Sequence, residues 1–141
     1  MNKYLLAIDG SENSSRATNY LLNLAQITGL DITVIHVVNS RKEIYNYSPL
    51  MDIQDIKNVI TKQGHQLLNE CAAVFEEKEL KVTKVIVEGD PGFEIAEYAK
   101  RNDISHIVLG TRGLSDLKGL IMGSVSHQVI YFAQCPITLV K

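Results

Sequence analysis

The chain has 141 residues, 45% of them apolar and 21% charged, which excludes disordered and collagen-like classes and fits one globular domain spanning residues 1–141. Fourteen Lys plus Arg against sixteen Asp plus Glu leave a net charge of -2 without a basic stripe, so duplex nucleic acid is not the expected partner. The two cysteines, Cys71 and Cys135, form no C-x-x-C pair and have no clustered His beside them, which excludes a zinc finger or a disulfide framework and fits a reducing cytoplasm.

The opening Met1-Asn2-Lys3-Tyr4-Leu5-Leu6 reaches Asp9 too soon for a signal peptide. A first strand is expected over 4–8 and a first helix over 13–28, with Ala17, Tyr20, Leu21, Leu24 and Ala25 as its buried stripe and Gly29 as its stop. A strand at 32–38 contains His36, read as a hydrogen-bonded strand residue rather than a ligand. Segment 39–50, with Tyr45, Tyr47 and Pro49, reads as irregular, a lid or a variable surface loop.

A second helix over 52–78 carries Ile53, Ile56, Ile60, Leu67, Cys71 and Phe75 on one stripe, which makes Cys71 a core residue. After a strand at 82–87, Asp90-Pro91 supplies a cap and a first-turn proline for a third helix with Phe93, Ala96 and Ala99 inward. The next strand, 104–109, is among the longest apolar runs and still falls well short of the roughly 20 residues of a membrane span. A fourth helix begins near Gly123-Ser124 and buries Val125, Val129, Phe132 and Ala133, and a last strand covers 137–140, where Cys135 packs as a small apolar group just before Pro136. Strands built from near-continuous Val, Ile and Leu are buried on both faces, so the fold class is an open parallel α/β sheet with helices on both sides.

In such sheets ligands bind beyond the carboxyl ends of the strands. The most unusual strand-to-helix connection runs from Gly110 to Ser124 with the spacing G-x2-G-x9-G-S. Glycines let main-chain N–H groups approach a ligand closely, and a helix start near Ser124 offers unpaired donors and a positive dipole end, which suits phosphates. Ser124 and Ser126 add hydroxyls and Arg112 a charge. His127 lies one turn into that helix; His65 and His106 have no partner at metal-ligand spacing, and no H-E-x-x-H motif occurs.

This glycine motif, the opening Leu6-Ala7-Ile8-Asp9-Gly10-Ser11, the Ile35-His36-Val37 strand and the closing Cys135-Pro136-Ile137-Thr138-Leu139-Val140 together resemble the universal stress protein family along the entire chain. The resemblance implies a five-stranded parallel sheet of order 3-2-1-4-5, adenine nucleotide alpha-hydrolase-like, and, because every motif glycine and the final serine are kept, ATP binding. It also implies roles by position: Asp9 near the ribose or a metal; Ala7 and Val37 beside the adenine; Gly110, Arg112 and Gly113 along the ribose and phosphate channel; and Gly123, Ser124, Val125 and Ser126 on the phosphates. Mg²⁺ would be held mainly by ATP phosphates and water, and a homodimer would join through the final strands.

Asp9 also has a simpler role open to it, as the cap of the first helix. The expected function is regulatory, nucleotide occupancy of the loop 110–126 switching conformation or partner binding, because no paired carboxylates, Ser-His-Asp set or activated lysine converges on the loops. The alternative is a slow Mg-dependent ATPase or a self-phosphorylating enzyme, with Thr111 and Ser115 among the possible acceptors. A flavodoxin-like carrier leaves the glycine loop without a role. A response-regulator receiver lacks its acidic cluster.

Overall fold

The structure, a computed structural model, describes residues 2–113 and 122–141. In chain order the elements are β1 (Lys3–Ala7), α1 (Glu12–Ile27), β2 (Asp31–Val38), α2 (Ser40–Glu43) with a 3-10 turn at Ile44–Asn46, α3 (Ile53–Glu76), β3 (Val82–Glu88), α4 (Pro91–Arg101), β4 (His106–Gly110), α5 (Ser124–Phe132) and β5 (Ile137–Val140). The strands pair in parallel in the order β3-β2-β1-β4-β5. Both the sheet and its order agree with expectation.

Successive strand residues point to opposite faces, and the apolar runs fill both. Leu6, Val34 and Val108 lie on the face that packs against Ala17 and Leu21 of α1 and Leu68 and Phe75 of α3. Leu5, Ala7, Ile35 and Leu109 lie on the other, against Ile95 and Ala99 of α4 and Val129 of α5. Each fully buried Leu, Ile, Val or Phe among them contributes about 1.5–3 kcal/mol relative to exposure. Cys71 belongs to the first of these cores, as expected, and burial pushes its thiol pKa up.

Four expectations need correction. Tyr20, Ile53, Phe93 and Phe132, assigned to buried stripes, are exposed. Each sits at the margin of its stripe, and the true centres run through Ser14, Ala17, Thr18 and Leu21 in α1 and through Ile95, Ala96 and Ala99 in α4. Segment 39–50 is not irregular throughout: Asn39 caps α2 by accepting from Lys42 N at 3.3 Å. The first helix stops at Ile27 with Thr28, not Gly29, as its C-cap. Asp90 precedes α4 with Pro91 in its first turn, as read, though its side chain makes no cap hydrogen bond. Among the described residues no helix is long and apolar enough to cross a membrane.

Candidate functional site

The strand order reverses between β1 and β4, and the loops beyond their carboxyl ends diverge there. A cavity of about 470 Å³ opens at that point. Its apolar wall is made by Ala7, Ile35, Val37, Ile95, Leu109 and Val125. Asp9, Ser11, Ser14, Thr111, Arg112, Gly113, Ser124 and Ser126 make a polar side. Nine of the ten residues singled out from the sequence therefore share one space, Ala7, Asp9, Val37, Gly110, Arg112, Gly113, Ser124, Val125 and Ser126; Gly123 alone is not part of its lining.

The turn after β1 is held by its own polar atoms. Asp9 Oδ1 accepts from Ser11 N at 2.9 Å, Asp9 N donates to Ser14 Oγ at 3.2 Å, and Ser11 Oγ accepts from Ser14 N at 3.1 Å. Ser11, not Asp9, is the N-cap of α1, while Gly10 takes a φ of 85°, where a side chain would be strained. Asp9 is thereby fixed at the cavity wall.

At the far side, Gly123 is the N-cap of α5. The first intrahelical bond of α5 runs from His127 N to Gly123 O, so the amides of Ser124, Val125 and Ser126 precede the hydrogen-bonded ladder. The expected hydroxyl contribution of Ser126 is different in the structure. Its Oγ donates to Thr111 O at 2.7 Å and approaches Gly123 O at 3.1 Å, and Gly123 N also donates to Thr111 O, at 2.6 Å. Both groups are thus engaged in holding the helix start, and the donors directed outward are the first-turn amides. Gly110 likewise does more than leave room for a ligand: a Cβ there would come within 2.7 Å of Asn13 Cβ and 2.9 Å of its backbone carbon.

Residues not singled out one by one from the sequence also line the cavity: Asn39, Lys42, Glu43 and Asn46 from segment 39–50, read as a possible lid, Asp90 and Pro91 at the start of α4, and Gln128 of α5. Ser40 N and Oγ donate to the two carboxylate oxygens of Glu88 at 3.2 and 3.0 Å, tying α2 to the end of β3. The capping asparagine followed by Ser40-Arg41-Lys42-Glu43 was the available signal for this short helix. Burial raises the Glu43 carboxyl pKa; nearby His36 opposes this and Glu88 adds to it.

His36 Nδ1 lies 2.8 Å from Ile8 O, the hydrogen-bonded strand role expected of it, and the residue also lines the cavity. His127 is exposed. His106 stacks on Tyr4, with centroids 4.8 Å apart, and pairs with Thr138 Oγ1 at 2.6 Å. Among the described residues no three His, Cys, Asp or Glu side chains are grouped as metal ligands. Ser115 and Asp116 lie outside the described residues.

A doubly wound parallel sheet with a part-apolar, part-polar cavity at its switch point places the protein in the open α/β class whose ligand sites lie beyond the carboxyl ends of the strands. The universal stress protein family matches residues 1–141, and the chain belongs to that family. Universal stress protein YxiE of Bacillus subtilis is 33% identical, the alignment covering 99% of each chain. The solved structure of MJ0577 of Methanocaldococcus jannaschii superposes with a TM-score of 0.85 at 25% identity over 99% of this chain and 95% of that one. A universal stress protein of Archaeoglobus fulgidus, solved in complex with dAMP, shares the fold with a TM-score of 0.68 at 19% identity, over 100% of this chain and 98% of that one.

Proposed function

We propose that the protein binds an adenine nucleotide, with ATP as the expected ligand, and acts as a cytoplasmic stress-response regulator whose occupancy a partner reads. The observation that carries this reading is the convergence of two surfaces on one cavity. An apolar slot bounded by Ala7, Val37 and Val125 suits a flat base, and the first turn of α5 offers amides and a positive dipole end to phosphates. The dAMP complex of a structural neighbour supports the same ligand class.

Arg112, exposed at the rim, would add charge beside the phosphates. The donor set fits a Mg²⁺ carried by the nucleotide: Asp9 supplies one carboxylate, as is usual for that ion, and no protein-only cage is present among the described residues. Bound there, the ion would neutralise phosphate charge. Asp9 would orient it, and Gly113 would leave the channel wall without a side chain. The Thr111 hydroxyl, one of the acceptors considered for self-phosphorylation, is buried and engaged with Asn13.

Two measurements test the reading. Protein purified without added nucleotide is denatured and the released small molecules are identified; an adenine nucleotide is expected. Calorimetric titration with Mg·ATP and Mg·GTP should then show saturable binding of the first and weaker binding of the second. Absence of any ATP binding would sink the proposal.

A further inference from the structure

We propose that Asn13 and Thr111 are positioning residues for the phosphate-binding turn, acting on the amides of α5 through the Thr111 carbonyl; this rests on the nucleotide reading above. Thr111 stands between β4 and α5 and is buried. Its carbonyl receives both Gly123 N–H, at 2.6 Å, and Ser126 Oγ–H, at 2.7 Å, which uses both acceptor sites of one oxygen to hold the cap and the third residue of the helix. Any rotation of that peptide group moves the whole first turn.

What prevents the rotation lies on the other side of Thr111. Its N–H donates to Val140 O at 2.9 Å, and its Oγ1 accepts from Asn13 Nδ2 at 3.0 Å. Asn13 is itself buried, and the orientation of its amide is fixed because Arg16 Nη2 donates to Oδ1, leaving the NH₂ end to face Thr111. Arg16 Nε in turn donates to Lys141 O at 2.6 Å. Gly110 is the residue that admits Asn13 to this place, since a Cβ there would meet it at 2.7 Å. One glycine of the motif thus makes room for the clamp, and another, Gly123, is gripped by it.

The contact acts on the phosphate end alone, so its loss should separate ligands that carry phosphates from those that do not. Thr111→Val conserves volume and the carbonyl while removing Oγ1; Asn13→Leu removes the donor; Thr111→Ser restores the hydroxyl. By calorimetry the first two variants should bind ATP about tenfold more weakly while adenosine affinity stays within about twofold, and Thr111→Ser should match wild type. Amide hydrogen exchange at Gly123, whose N–H is held by Thr111 O, and at His127, the first bonded amide of α5, should quicken in the same two variants and nowhere else in α5. Equal losses for ATP and adenosine, no loss in either, or unchanged exchange would overturn the assignment. If wild-type protein binds neither ligand, the nucleotide reading fails, and the exchange rates alone decide whether these residues position the turn.

Discussion

Ser124 is the first residue of α5, and its amide is one of the three that precede the helical ladder. Proline is tolerated at that position, because its missing N–H has no intrahelical partner. The preceding Gly123 has φ -82° and ψ 173°, an extended conformation that a following proline accepts. Ser124→Pro should therefore delete an amide and a hydroxyl from the cavity wall without disturbing the helix. ATP affinity should fall by about three- to tenfold with the melting temperature within about 2 °C of wild type, measured by calorimetry and circular dichroism. At this scale the glycine spacing located the turn, and Asp9 and Arg112 were found at its cavity. Spacing does not tell which amides face inward. Gly123 N–H and Ser126 Oγ turn to Thr111, and the partner that makes this possible, Asn13, looks like a solvated first-turn residue when read alone.

The short helix α2 brings Lys42 and Glu43 to the cavity, and one oxygen of Glu43 is buried without a hydrogen-bond partner among the described residues. Desolvation raises the Glu43 pKa above its ordinary 4.5, with Glu88 adding to the effect and His36 and Lys42 opposing it. Because the folded state then holds this proton more tightly than the unfolded state, stability falls as pH rises from 4.5 through the raised value. Glu43→Gln cannot ionise and should melt higher than wild type at neutral pH. The difference should shrink as the pH is lowered and vanish below 4.5, as followed by thermal melts across that range. A pH-independent difference would assign the effect to packing instead. The element left no periodic signal in the sequence, since four helical residues carry too little periodicity to register, and only its capping asparagine marked it. The long helices were plain from their period, and their stripes failed only at the margins: in α3, Ile56, Ile60, Cys71 and Phe75 are buried as read, Ile53 is exposed, and Leu68 and Ala72 join the buried face. Periodicity gives the axis of a stripe, and the sheet beneath decides its centre.

For the whole molecule, an open sheet leaves two edges, and they are not alike. Edge strand β3 carries Lys84 and Glu88, both exposed, which discourages pairing with another chain. Edge strand β5, Ile-Thr-Leu-Val, carries no charge and is half-buried along its length, and the exposed Ile130, Tyr131 and Phe132 lie at the end of the helix before it. A homodimer joined edge to edge through β5 follows as the proposed assembly. Its geometry is specific enough to test with one residue. The carbonyls of Pro136 and Val140 accept from Ile107 N and Thr111 N of the β4 side, so by the two-residue period Thr138 also faces β4, while the peptide groups of Ile137 and Leu139 face the open edge. Leu139→Pro removes an outward N–H and leaves the β4 ladder whole; Thr138→Pro removes an inward one. Light scattering should find wild type dimeric and Leu139→Pro monomeric with an unchanged far-ultraviolet spectrum, whereas Thr138→Pro should lower the melting temperature as well. A monomeric wild type overturns the dimer, and a Leu139→Pro protein that still dimerises places the interface elsewhere.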